Sequence, residues 1–122
     1  MQMKSAVLAM LCFAPILLFS HPGEVIEELP APSGFTTGLT WDGEALWIAD
    51  YKADKLSRIG IADGSVLKQI PSPGFWPTGL AWDGKYLWNA DEKEGKIFRV
   101  DPDDGTVLEE FDAPTSNVSG LT

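Results

Sequence analysis

Residues 78–100 (TGLAWDGKYLWNADEKEGKIFRV) rewrite residues 37–59 (TGLTWDGEALWIADYKADKLSRI) at a step of 41. The step is kept by Thr37 and Thr78, Gly38 and Gly79, Trp41 and Trp82, Asp42 and Asp83. It is kept again by Trp47 and Trp88, Asp50 and Asp91, Lys55 and Lys96, Arg58 and Arg99. Ser119-Gly120-Leu121-Thr122 opens a third copy, and Pro32, Pro73 and Pro114 mark one phase three times. A tandem period of this size confines the chain to a stacked or circular array. One unit cannot bury its own apolar face, so neighbours must cover it.

Within each copy the apolar pattern has period two, which is that of a strand. In the first copy, strands are predicted over 38–41, 45–50, 55–59 and 65–70. Asp42-Gly43 and Asp63-Gly64 are the turn pairs, because Gly accepts positive φ without a Cβ clash. The second copy repeats the plan, with turns at Asp83-Gly84 and Asp104-Gly105. No helical stripe interrupts it. Four short strands in about 40 residues is the size of one β-propeller blade. The fold class is therefore all-β: four-stranded antiparallel blades on a 41-residue repeat, forming an incomplete ring. Val25, Val66 and Val107 share a phase, so a further strand is expected near 25–29.

The pattern G-L-x-W-D-G-x-x-L-W-x-A-D followed by K-[LI]-x-R-[IV] resembles the repeat of the NHL and gluconolactonase-like, YVTN-type propellers. The likeness runs over 37–111. It implies a ring with a central channel and function on the face where loops gather. The Trp41-Asp42 and Trp82-Asp83 pairs are not those of a WD repeat, since each precedes a turn Gly and no Gly-His pair opens the unit. The chain departs from such families in blade count. A closed ring takes roughly four to eight blades, and only two are complete here. The division is 1–20 signal peptide, 21–34 linker or edge strand, 35–75 first blade, 76–115 second blade and 116–122 the start of a third. Two readings follow: a piece of a longer propeller, or short chains that associate through their exposed blade faces. Both answer one difficulty: two blades alone would leave their outer faces, some tryptophans included, in water.

Net charge is −9, with 18 acidic against 9 basic residues. That opposes nucleic-acid binding, which needs cations against phosphate, and opposes attraction to an anionic membrane. Lys4 followed by an apolar run over 6–19 fits the charged and hydrophobic regions of a secretory signal. The expected location is secreted or periplasmic, without membrane contact once the signal is removed; an uncleaved anchor is the alternative. Cys12 is the only cysteine and lies in that segment, so a processed chain has no thiol chemistry. His21 is the only histidine and sits at the expected cleavage site, which removes His-based triads and His zinc sites. No dinucleotide or phosphate-loop motif is present, and no cofactor is expected.

The loops over 51–54, 91–95 and 71–77 share one face of a propeller, and that face is the place for a ligand. Asp50 and Asp91 end their strands there. They read either as a ring of carboxylates around a channel, fit for a divalent cation or acid/base work, or as scaffold residues that cap their loops or pair with Lys55, Lys96, Arg58 or Arg99. Identical placement in both copies favours the scaffold. Repetition makes Trp41, Trp47, Trp82 and Trp88 core residues by the same logic. Trp76 stands where Phe35 and Asn117 stand in the other copies and is the aromatic candidate for a sugar or peptide. Asn89 replaces Ile48 at an apolar position and needs a partner. The acidic run 101–105 reads as a plain turn, since it lacks the spaced ligands of a calcium loop. Asn117-Val118-Ser119 is an N-glycosylation triplet. The function expected is an exported repeat module that binds a protein, small-molecule or carbohydrate ligand at Asp50, Asp91 and Trp76. The alternative is part of a gluconolactonase-like or glutaminyl-cyclase-like enzyme, inactive alone.

Overall fold

The computed structural model describes residues 21–122; the expected signal peptide lies outside the described residues. Eight strands run in chain order: β1 Thr36–Trp41, β2 Leu46–Asp50, β3 Lys55–Ile59, β4 Val66–Pro71, β5 Pro77–Trp82, β6 Leu87–Asp91, β7 Lys96–Val100 and β8 Val107–Asp112. They form two four-stranded antiparallel sheets, β1-β2-β3-β4 and β5-β6-β7-β8, not closed into a ring. Among the described residues there is no helix. Each sheet is a meander, with hairpin turns at the Asp-Gly pairs. Gly43 and Gly84 take φ of 102° and 99°, a region L side chains avoid. Asp101–Gly105 is the plain turn expected: the Gly105 N–H donates to the Asp101 carbonyl, as Gly64 does to Gly60.

The register decides which side chains face which way. Gly38, Ala49, Leu56 and Ile70 stand across from one another on one face of the first sheet, with Trp47 and Arg58 beside them. Leu80, Asn89 and Phe98 share one face of the second, with Trp82, Leu87 and Val100. These two faces meet. Trp47, Ala49, Leu56 and Ile70 join Leu80, Leu87, Phe98 and Val100 in a single buried cluster, with Trp82 packed against it. The core is thus an inter-blade layer, and each blade is stable only through its neighbour.

The inner strands approach by backbone. A Cβ on Gly38 would lie 3.0 Å from the Leu80 nitrogen and 3.1 Å from the Thr78 carbonyl oxygen. Thr37 Oγ1 donates across the gap to the Pro77 carbonyl at 2.6 Å. The pattern recurs one copy later, where Thr78 Oγ1 donates to the Val118 carbonyl at 2.6 Å and Gly79 abuts Gly120 and Leu121. The chain's last residues therefore lie against β5 in the way β5 lies against β1.

Two expectations are corrected. Residues 25–29 form no strand, and Val25 and Ile26 are exposed. A fourth blade strand needs a third to pair with, and none precedes it in the described residues. Trp41 and Trp88 are not core: both face away from the inter-blade layer, Trp41 half exposed and Trp88 half-buried, whereas Trp47 is buried.

Candidate functional site

The loop face is fixed by two buried carboxylates. Asp50 ends β2, and its Oδ1 accepts the N–H groups of Lys52 and Ala53, each at 2.9 Å. Its Oδ2 accepts the Ser33 hydroxyl, and Ser33 Oγ in turn accepts the Phe35 N–H at 3.1 Å. Asp91 does the same work in the second blade with one atom fewer. Its Oδ1 accepts the Glu94 N–H at 2.9 Å, and its Oδ2 accepts the Trp76 N–H directly at 2.7 Å. Gly74 stands in the phase of Ser33, and a Cβ there would lie 2.5 Å from Asp91 Cγ. Each carboxylate therefore ties the β2–β3 type loop to the segment that enters its blade. Burial pushes the Asp50 carboxyl up, but the Ser33 hydroxyl and the two backbone donors outweigh it and hold the group below its ordinary value.

Backbone bonds complete the frame. Tyr51 donates to the Phe35 carbonyl at 3.4 Å, and Glu92 to that of Trp76 at 3.1 Å. On this frame stands a row of aromatic rings that crosses from one blade to the next. Tyr51 stacks on Trp76 with centroids 5.8 Å apart and planes at 24°. Phe35 meets Tyr51 edge-on at 5.7 Å, and Lys52 Nζ lies 3.9 Å from the Phe35 centroid. Trp76 keeps 45% of its surface exposed. Phe75 is exposed beside it, with Lys93 Nζ 5.4 Å from its ring.

Of the three residues expected at this site, Trp76 is at the surface and in contact with other rings. Asp50 and Asp91 are buried beneath it, with their oxygens occupied by loop donors rather than by Lys55, Lys96, Arg58 or Arg99. Tyr51 and Lys52 were not singled out by sequence. The signal was there: Phe35 and Trp76 are one period apart, so adjacent blades bring them side by side, and Tyr51 follows Asp50 directly.

Arg58 belongs to the opposite rim. Its Nε donates to Asp42 Oδ2 at 2.6 Å and its Nη2 to Asp42 Oδ1 at 3.3 Å. Asp42 Oδ1 also accepts the Glu44 and Ala45 N–H groups, and Oδ2 accepts Trp47 Nε1, each at 2.9 Å. Burial pushes this carboxyl up; Arg58 and the three N–H donors override it and hold the group far below the usual carboxylate range. Asp83 repeats the turn but not the ion pair, because Arg99 turns to Glu109 at 3.3 Å and lies over Tyr86. A cleft of about 540 Å³ opens beside Arg58 between the blades, lined by Asp42, Glu44, Trp47, Lys68 and Trp82. It lies at the end of the strands away from the aromatic row. Among the described residues no three His, Cys, Asp or Glu are placed to hold a metal ion, and no helix is long and apolar enough to cross a membrane.

Sheets of this kind, packed face to face through their inner strands, are propeller-type blades. Solved structures bear out that class. The chain is similar to virginiamycin B lyase from Staphylococcus aureus (TM-score 0.59, 22% identity, 83% of this chain and 36% of that one). It is similar to Kuenenia stuttgartiensis hydrazine synthase (TM-score 0.60, 18% identity, 84% and 28%). A calcium-binding regucalcin from Agrobacterium tumefaciens gives a TM-score of 0.56 at 24% identity, with 70% and 32% covered. At these identities the likeness is one of fold. The chain spans about a third of each of these chains, at 36%, 28% and 32%. No protein-family model and no curated protein matches it.

Proposed function

We propose that this chain is an exported propeller-type module that binds a carbohydrate or peptide ligand on its loop face. The observation that carries the reading is the row Phe35–Tyr51–Trp76, its two end rings exposed, fixed by hydrogen bonds from the loops beneath it. Rings presented on a rigid frame lose little freedom on binding, and their faces accept the C–H surface of a sugar or an apolar side chain. Asp50 and Asp91 support this site as positioning residues: they hold the loops from which Phe35 and Trp76 project. The enzyme reading would require one of these carboxylates to leave its loop donors, so the geometry does not favour it. Lys4 and the apolar run after it support export.

The test is a titration followed by tryptophan emission. The probes are a neutral β-linked hexasaccharide, an oligogalacturonate and a tyrosine-rich peptide. Saturable binding of one probe is expected. Trp76→Ala is expected to weaken it at least about tenfold, which is about 1.4 kcal/mol. No saturable response to any of the three, or an unchanged affinity in the variant, would remove the aromatic row from the function. Amino-terminal sequencing of protein recovered outside the cytoplasm checks export: a start at Met1, or no protein there, opposes it.

A further inference from the structure

The two copies differ in charge order at the rim away from the loop face. Arg58 of β3 and Lys68 of β4 are cross-strand partners. One period on, the partners are Arg99 and Glu109, which form an ion pair at 3.3 Å. Like charges directly across a sheet oppose each other, so the first blade gives up a favourable pair at this position. Both cations line the cleft of about 540 Å³ between the blades, a size that holds a small molecule. Its lining runs only from Asp42 to Asp103, so its walls belong to the two blades themselves.

We infer that this cleft binds a small organic carboxylate with a flat apolar body, its head group bridging Arg58 and Lys68 and its body lying along Trp82. Asp42 and Glu44 take Nε and Nη2 of Arg58, which fixes the guanidinium and leaves Nη1 for a ligand. Lys68 Nζ stands 3.7 Å from Asp103 Oδ1, beyond hydrogen-bond length, and that carboxylate is 91% exposed. A ligand carboxylate replaces so loose a partner at little cost. Trp82 and Pro102 of the second blade form an apolar wall of the same cleft. Trp82 is half-buried and packed against the core, so its indole is a fixed flat surface. Asp42, Glu44 and Asp103 set three carboxylates against the two cations, a surplus of one negative charge. That surplus disfavours a doubly charged head group such as phosphate more than a singly charged one. The site lies at the other end of the strands from the aromatic row and does not depend on it.

The experiment is isothermal titration calorimetry of the full chain with naphthoate, uncharged naphthamide and inorganic phosphate. Naphthoate is expected to bind saturably, and the amide and phosphate at least about tenfold more weakly. Lys68→Glu restores the charge order of the second blade and is expected to weaken naphthoate at least about tenfold. Lys68→Met keeps the stem without the charge and is expected to weaken it by a smaller factor. Circular dichroism confirms the fold of each variant. Asp103→Asn removes the carboxylate that competes for Lys68 and is expected to tighten naphthoate roughly two- to fivefold. No saturable heat with naphthoate overturns the proposal. Equal affinity for the amide describes an apolar crevice that uses no cation, and equal affinity for phosphate describes a bare anion site; either result overturns it. So does an unchanged naphthoate affinity in both folded Lys68 variants, or a weaker one in Asp103→Asn.

Discussion

Asp42 and Asp83 occupy the same place in the two repeats, yet their removal is expected to differ by about 2 kcal/mol. Both cap their turn through two backbone N–H groups and accept a tryptophan Nε1. Losing such a cap costs about 1 kcal/mol. The rest is set by surroundings. Trp47 is buried, so an orphaned Nε1 there costs about 1–3 kcal/mol, while Trp88 is half-buried and its Nε1 finds water. Arg58 bonds Asp42 through two nitrogens with its side chain 25% exposed, and a charge-assisted bond of that kind is worth about 1 kcal/mol after discounting for solvent. Asp83 has no such bond to lose. The sums are about 3–5 kcal/mol for Asp42→Ala and about 1–2 kcal/mol for Asp83→Ala. Urea unfolding followed by tryptophan emission reads both on one scale, provided the transitions are two-state and m is unchanged. Equal losses, or the larger loss at Asp83, would refute the claim that Arg58 and the buried Trp47 make the two turns unequal.

Three other positions, Asp42 under acid, Gly74 and Asn89, give further outcomes. The Asp42 and Asp50 carboxyls both lie below their unfolded value of about 3.9. Their stabilisation is therefore complete above that pH and is lost as pH falls towards the folded values. Asp42→Asn should flatten the decline of the urea midpoint below about pH 4, and an unchanged slope would exclude Asp42 as its source. Gly74→Ala should lower stability by about 1–3 kcal/mol, because its Cβ collides with the Asp91 carboxyl; Gly74→Ser should cost less, since a hydroxyl there can bridge as Ser33 does, and the reverse order in thermal unfolding would count against that relay. Asn89 is fully buried, donates to the Gly79 carbonyl at 2.9 Å and leaves Oδ1 without a partner. Asn89→Leu should raise the urea midpoint by the equivalent of about 1 kcal/mol; a fall would mean that the bond to Gly79 outweighs the orphaned oxygen.

The repeat made the scaffold legible and hid the surface. Trp47, Gly38, Thr37 and the Asp-Gly turns recur at a fixed step because every blade needs them, and the step alone placed all eight strands to within a residue or two. The limits of that logic appear at the ends. Trp41 and residues 25–29 obey the period yet lack their expected environment, because the period specifies what a residue does between two blades and not whether the second blade is present. Identical carboxylates also conceal unequal chemistry. Asp50 works through Ser33, while Asp91 reaches Trp76 unaided past a glycine. That difference is carried by position 33 against position 74, far from either Asp in sequence.

Departures from the repeat carry the information that the repeat cannot. Tyr51 stands opposite Glu92, and Phe35 opposite Trp76, so the aromatic row is asymmetric although its frame is not. Two blades with the same loop residues would present the same surface twice, as an array does. Here the stack forms only across the junction, where Tyr51 of the first blade reaches Trp76 at the entry of the second. A change that wedges the inner strands apart at one point, leaving the rest of the inter-blade layer in place, should therefore disrupt the row as well. Gly38→Val supplies it: even its Cβ would press the Leu80 nitrogen and the Thr78 carbonyl, which lie 3.0 Å and 3.1 Å away, and the branched side chain adds bulk beyond it. The Tyr51–Trp76 contact should loosen, seen as greater acrylamide quenching of emission, while the far-ultraviolet circular dichroism of the strands persists. Retention of wild-type quenching in that variant would show that the row is held by its loops alone and owes nothing to blade packing.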